Sequence, residues 1–284
     1  MIYAVTGSTG NFGTLAVQSF LAQGVSPSSI VALARDASKS EGLKAKGVTV
    51  RIANYDDQAS LVAAFKGVDQ LLIVSGSEVG KRAPQHHNII AAAKSAGVKR
   101  LAYTSITRAA TSKNPLAPEH KATEEEIAAS GIEYTILRNN WYIENFAGDI
   151  AGAKQSGVVA AAVKTGKVGS ALRSEYAEAA VRALIGEGHA GKTYELGGQP
   201  WSYQEFAEAM SKVFGCPVVF KTITEAEKKA ALVGFGLPEG MAGFYALLDT
   251  AIEDGTLDNK SDDLSKLLGR APTSLEECIR KIAK

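Results

Sequence analysis

The sequence predicts an α/β fold, a doubly wound parallel sheet joined to a smaller, mostly helical C-terminal lobe. Three observations carry this. Short apolar and β-branched runs alternate with longer amphipathic segments through the first half of the chain. Several of those runs are continuous rather than alternating, as expected of strands buried on both faces. Several amphipathic segments end in glycine, as at Ala96-Gly97 and Ser130-Gly131, where a left-handed cap closes a helix. Repeated βα units of this kind give right-handed crossovers and a sheet covered by helices.

The predicted strands of the first half are Ile2–Val5, Ile30–Ala34, Thr49–Ile52, Leu71–Val74, Leu101–Thr104 and Tyr134–Leu137. Helices are expected between them at Phe12–Gln23, Ser60–Phe65, Pro84–Ala96 and Glu119–Ala129. After Asn139 the pattern changes. Val158–Val168 has no helical period and reads as a small β excursion, Arg173–Ile185 as a helix and Thr193–Leu196 as a further strand. From Trp201 onward the chain reads as helical over Tyr203–Val213, Glu225–Val233, Gly240–Ile252, Asp262–Leu268 and Ser274–Ile282. Residues 1–150 are therefore expected to form a Rossmann domain to which 168–197 returns. Residues 198–284 form the smaller lobe, with 151–167 contributing, and a cleft lies between the two.

Composition narrows the function. The chain has 284 residues, 45% of them hydrophobic, and a formal net charge of +1. No basic stripe marks a nucleic-acid or membrane surface. No apolar run approaches the ~20 residues of a membrane span. The N-terminus carries no basic, apolar leader. The two cysteines, Cys216 and Cys278, lack metal-ligand spacing and read as free thiols in a reducing compartment, so a cytoplasmic location is expected. The four histidines, His86, His87, His120 and His189, lack a carboxylate pattern that would complete a metal site.

The run Thr6-Gly7-Ser8-Thr9-Gly10-Asn11-Phe12-Gly13 follows a strand and opens a helix, the context of a dinucleotide fingerprint. Gly7 permits the tight turn, Gly10 lets backbone approach a pyrophosphate, and Gly13 lets helix and sheet pack closely. The helix N-terminus then offers free N–H groups and the positive dipole end. About 20 residues on, an acidic side chain would bind the ribose diol of NAD. Here Ile30–Ala34 delivers Arg35, whose guanidinium suits a 2′-phosphate and favours NADPH; Asp36 beside it keeps NADH as the weaker alternative. Ser75-Gly76-Ser77 and Thr104-Ser105 end the next two strands of the crevice, where small residues let a cofactor lie close to backbone. His86 and His87, after Pro84, read as a solvated helix start.

The segments TGSTGNFG, SGSEVGKRAPQHHN, YTS, SGIEYTILRNNWYIENF and LLGRAPTSLEE together resemble the atypical short-chain dehydrogenases/reductases with NmrA-like sequence. Within them the chain is most similar to the type-2 NAD(P)H:quinone oxidoreductases, with triphenylmethane reductases as near relatives. The likeness covers essentially the whole chain, and Ser77–Asn88 and Leu137–Phe146 are its most specific pieces. It implies an NADPH site made from the glycine loop, Arg35, the Ser75–Ser77 turn and Asn140–Asn145, including Tyr142, Glu144 and Asn145, with Arg173 as a weaker candidate. It also implies quinones or similar flat electron acceptors as substrates.

One departure from the wider superfamily bears on mechanism. The Tyr-x-x-x-Lys acid pair would fall near Leu116 and His120, so the tyrosine is absent and a histidine stands at the lysine position. Reduction of a quinone tolerates this, because the acceptor is already electrophilic and the oxyanion formed is only weakly basic. Trp141 or Tyr142 is expected to stack on a planar ring, and Asn140 or Tyr142 to donate to its oxygen. His120 is a further candidate proton donor. A non-catalytic, NADP-binding redox sensor of the NmrA type stands as the alternative, and a dye reductase as a third reading. A monomer or a homodimer is expected.

Overall fold

The computed structural model describes all 284 residues. In chain order the first half runs β1 (Tyr3–Val5), α1 (Asn11–Ala22), β2 (Ile30–Ala34), α2 (Glu41–Lys44), β3 (Thr49–Ile52), α3 (Gln58–Phe65) and β4 (Gln70–Ile73). It continues through α4 (Arg82–Ser95), β5 (Arg100–Ile106), α5 (Ala117–Ala129) and β6 (Glu133–Asn139). Beyond it come α6 (Ala147–Ser156), β7 (Val158–Ala161), β8 (Lys167–Val168), α7 (Arg173–Ile185), β9 (Lys192–Leu196), β10 (Trp201–Ser202) and α8 (Tyr203–Phe214). The chain ends with β11 (Val219–Thr222), α9 (Glu225–Gly234), α10 (Glu239–Glu253), α11 (Asp263–Leu268) and α12 (Leu275–Ile282).

Seven strands form one parallel sheet in the order β3-β2-β1-β4-β5-β6-β9. The order reverses between β1 and β4, so the crevice outside their carboxyl ends is a topological switch point. Both faces are covered at the centre, which is why β2, β4 and β5 are buried almost throughout and read as continuous runs, while the edge strands β3 and β9 are more exposed. On one face Val5, Ala32, Leu72 and Leu137 pack against Phe20 of α1 and Tyr176, Val181 and Leu184 of α7. On the other, Ala4, Leu33, Leu71, Ile73 and Tyr103 pack against Leu61, Phe65, Ile89 and Ile127.

A third core holds the smaller lobe together, with Phe146, Ile150, Trp201, Phe206, Met210 and Ile279 at its centre. The expected β excursion at Val158–Val168 is two separate strands with different partners. β7 pairs in parallel with β11, whereas β8 pairs antiparallel with β10. The chain breaks between them because one carboxylate, that of Glu253 on α10, accepts the amides of Lys164, Thr165 and Gly166 at 2.7, 3.0 and 3.0 Å. Helix α11 turns back to the sheet: Leu264, Leu267 and Leu268 join the core formed by α1 and α7.

This placement of α11 is testable. Leu264 is fully buried against the sheet layer. Leu264→Ala should cost about 2–5 kcal/mol, measured by chemical denaturation, and the whole chain should unfold earlier rather than the smaller lobe alone.

Candidate active site

The glycine loop leaves β1 through Thr6, whose amide donates to Leu72 O at 3.0 Å and whose hydroxyl accepts from the Val74 amide at 2.9 Å. Gly7 has φ +56°, a left-handed turn that suits glycine. A Cβ on Gly13 would lie 2.2 Å from Gly7 O, so α1 can enter this close to the loop only without one. Gly10 differs: its Cβ would meet only Gly7 O, at 3.3 Å, and otherwise faces open space. The amides of Asn11, Phe12 and Gly13 form the free first turn of α1. A groove with that floor fits a pyrophosphate.

Ser8 takes a different part. Its amide and hydroxyl both donate to Leu33 O, at 3.1 and 2.8 Å, so it anchors the loop to β2 rather than offering a free donor. Thr9 is half-buried and Asn11 exposed, while Phe12 is buried and lies 6.1 Å from the Tyr142 ring. Tyr55, which the sequence reading passed over, lies beneath the loop. Its hydroxyl donates to Val74 O at 3.3 Å, and burial pushes the phenol up to about 12.

Arg35 stands exposed at the end of β2 and pairs with Glu78 at 3.0 Å. The Asp36 carboxylate accepts the Ser38 amide at 2.9 Å and caps the short turn that follows. That commitment weakens its claim to a ribose diol.

The Ser75–Ser77 turn is held from behind by helix side chains. Gly76 N donates to His86 Nε2 at 3.0 Å, and Gly76 O accepts from Arg82 Nε at 2.8 Å. His86 is therefore not the solvated residue expected. Helix α4 starts at Arg82, so His86 falls on its inner stripe with Gln85, Ile89 and Ile90. Because Nε2 accepts, Nδ1 carries the proton and donates to Thr123 Oγ1 at 2.9 Å. Burial first, then Arg82, lowers the His86 pKa to about 3. His87, by contrast, is exposed and pairs with Glu126 at 2.7 Å.

The two β5 residues divide between the faces of the sheet. Thr104 Oγ1 accepts the Ser75 amide at 2.9 Å and ties the ends of β4 and β5 together. Ser105 turns to the opposite face, where its hydroxyl donates to Glu124 Oε1 of α5 at 2.5 Å. A strand alternates its side chains, and the crevice takes only one of the two. His120, the further candidate proton donor, also has an internal partner. It is buried with Nδ1 2.7 Å from the Tyr103 hydroxyl, and burial holds it well below the ordinary histidine range.

After β6 the segment Asn139–Asn145 makes the far wall. Asn140, a candidate donor to substrate, has internal partners in the structure. Its Nδ2 donates to Leu257 O at 2.9 Å and its Oδ1 accepts the Trp141 amide at 2.7 Å, bracing the turn against the smaller lobe. Asn139 Nδ2 donates to the Tyr142 hydroxyl at 3.3 Å, while its buried Oδ1 has no protein partner. The Tyr142 ring meets Tyr176 edge-on at 5.4 Å, and the Arg173 guanidinium lies over it at 4.8 Å. Burial raises the Tyr142 phenol above its ordinary range. Glu144 caps α7 by accepting the Arg173 amide at 3.0 and 3.1 Å, and Asn145 Oδ1 accepts from Arg173 Nη2 at 3.4 Å. Trp141 is half-buried between the smaller lobe's core and a small cluster of Ile106, Ala109, Leu116 and Ala117.

The carboxyl ends of β5, β6 and β9 meet at a charge hub. Arg138 of β6 donates to Glu124 through Nε at 3.0 Å and Nη2 at 2.6 Å, and to Glu195 through Nη1 at 3.1 Å. Glu195 also accepts Thr107 Oγ1 at 2.8 Å and the Arg108 amide at 3.0 Å. Arg108 has φ +53°, and its guanidinium donates to Gly255 O at 3.1 Å and to Asp258 O. The loop after β5 is thus fastened to the smaller lobe.

The NmrA-like family model matches residues 2–279 of the chain. The chain belongs to that family. It is 46% identical over 277 residues to quinone oxidoreductase 2 of Escherichia coli, covering 97% of this chain and 96% of that protein. It is 30% identical to the NAD(P)H azoreductase of Xenophilus azovorans, over 96% and 95% of the two chains. Among solved structures, the E. coli NADPH-dependent quinone oxidoreductase complexed with NADPH superposes with a TM-score of 0.96 at 44% identity, over 100% of both chains. The Citrobacter sp. triphenylmethane reductase complexed with NADP(H) gives a TM-score of 0.95 at 40% identity, over 99% of both.

Two outcomes follow from this geometry. Gly10→Val should melt close to the wild type yet lose dinucleotide binding, whereas Gly13→Ala should lower the melting temperature; thermal denaturation with and without NADPH separates the two. His86 is buried neutral, so stability tied to it is complete above about 6.5 and falls as pH drops from there toward about 3. His86→Gln, whose amide can replace both hydrogen bonds, should show a shallower loss of unfolding free energy over that window.

Proposed function

We propose that the chain is an NADPH-dependent oxidoreductase that reduces a quinone or a similar planar aromatic acceptor. The observation that carries this reading is what stands in place of the acid pair. Leu116 opens α5 and packs with Ile106, Ala109, Ala117 and Trp141, an apolar wall. One turn on, His120 is buried against Tyr103. Both nearby phenols, Tyr103 and Tyr142, are raised by burial, the opposite of a general acid tuned to neutral pH. Such a wall suits an acceptor that is flat, apolar and already electrophilic. The phenolate-like oxygen formed on it needs only water or a weak donor, while a simple ketone would need the missing acid.

When bound, NADPH supplies the hydride. The chain's own residues bind and orient. The first-turn amides of α1 would hold the pyrophosphate, Arg35 the 2′-phosphate, and Tyr142, Asn145 and Arg173 the far half of the cofactor. Trp141 presents a ring face to the acceptor, and the Arg108 and Arg138 contacts keep the two walls of the cleft at a set spacing. The relatives' names, quinone oxidoreductase, azoreductase and triphenylmethane reductase, support a flat, conjugated acceptor. Residues 1–150 and 168–197 then bind cofactor, and 198–284 with 151–167 face the acceptor, α11 excepted. Two free cysteines and no helix long and apolar enough to cross a membrane fit a cytoplasmic place.

The test is loss of nicotinamide absorbance with and without a benzoquinone. Quinone-dependent oxidation faster with NADPH than with NADH is expected; tight NADPH binding without turnover of any quinone or dye would overturn the enzyme reading in favour of a sensor. Arg35→Ala should weaken NADPH binding about 10- to 100-fold and leave NADH nearly unchanged, by equilibrium titration. Trp141→Ala should lower quinone turnover with little change in NADPH affinity.

A further inference from the structure

Arg35 and Glu78 come from the loops after β2 and β4, the two strands that flank β1. Two strand spacings, about 10 Å of sheet, separate those loops, yet guanidinium and carboxylate meet at 3.0 Å. The pair therefore spans the carboxyl end of β1, where the glycine loop opens. Lys81 Nζ reaches the other oxygen of the same carboxylate at 3.3 Å. One anion sits between two cations, each on its own oxygen. Lys81 and then Arg35 hold the Glu78 carboxyl below the usual range, so it is charged at neutral pH. All three side chains are open to solvent, at 69%, 38% and 67% relative exposure for Arg35, Glu78 and Lys81. A turn bond from the Lys81 amide to Glu78 O at 3.1 Å sets Glu78 and Lys81 side by side, while Arg35 is joined to them by charge across the loop.

We infer that Glu78 is a built-in competitor of the cofactor's 2′-phosphate: its carboxylate holds the anion position between Arg35 and Lys81 that the phosphate takes over. This rests on reading the crevice as an NADPH site. Two roles follow. Lys81 becomes the second cation for the phosphate, and Glu78 limits affinity both by occupying Arg35 and by repelling the incoming anion. A ligand without a 2′-phosphate brings no anion to exchange and meets no such repulsion. Asp36, the other carboxylate beside Arg35, is tied to the Ser38 amide and takes no part in the exchange.

The probes are 2′,5′-ADP and 5′-AMP, titrated calorimetrically against the full chain and its variants. Glu78→Gln should tighten 2′,5′-ADP about two- to tenfold, the scale of an exposed ion pair plus the repulsion removed, and change 5′-AMP by less than about twofold. Lys81→Met should weaken 2′,5′-ADP on the same scale. On an Arg35→Ala background the gain from Glu78→Gln should shrink, since the contested cation is gone, and high salt should shrink it in every background. Unchanged or weaker 2′,5′-ADP binding in Glu78→Gln, with an unaltered melting temperature, would overturn the inference alone. Equal tightening of both probes would overturn it too, leaving only a steric strap across the crevice. A wild type that binds neither NADP+ nor 2′,5′-ADP would overturn the cofactor reading with it.

Discussion

The approach of α1 to the glycine loop is the constraint on which the rest of the crevice depends. With Gly13 packed onto the backbone of Gly7 and Ser8, the helix axis enters directly behind the loop. Its free amides then face the switch point between β1 and β4, and Phe12 is carried into the sheet core. Phe12 sets the position of Tyr142, Tyr142 leans on Tyr176, and α7 lies alongside α1. The far wall of the site is therefore placed by a close backbone contact at the near one.

Arg138 does for the ends of β5, β6 and β9 what Gly13 does for the loop after β1. Its guanidinium is mostly buried, and every contact that keeps it satisfied comes from a different element: α5 through Glu124, and β9 through Glu195. Glu195 passes the constraint on to the loop after β5, and Arg108 passes it to the smaller lobe. Taking such charges out of water is costly, so a hub of this kind is weak as a source of stability and better understood as a device that sets register between walls. The left-handed backbone at Arg108 fits that role, because a strained residue persists only where its surroundings over-determine it.

The strands were legible wherever burial on both faces made an unbroken apolar run, and their edges moved by two residues or fewer. Four elements were not, and the two-residue strand β10 is the shortest of them. Helix α6 has two glycines and little periodicity, and it forms because Ile150 and Ala153 find the core of the smaller lobe. Strand β11 is four residues whose partner, β7, lies far back in the chain. The single turn α2 is too short to leave a pattern. In the site, the glycine loop could be read because one continuous segment supplies it and its chemistry is backbone chemistry. Tyr55, Glu78 and His86 could not, since each acts on residues that only folding brings near. His86 left one trace, its spacing from Ile89 and Ile90.

By itself, then, the sequence determined the parallel sheet, the glycine loop between β1 and α1 and the cation at the end of β2, because these follow from hydrophobic periodicity and from local backbone geometry. It also showed that the usual tyrosine acid is missing. Tertiary structure alone decided which polar side chains are free. Ser8, Ser105, Asn140 and His120 look available in a string of letters and are each consumed by a partner from another element. The physical reason is that a buried polar group must find a hydrogen-bond partner, and which partner it finds is a property of packing rather than of the residue.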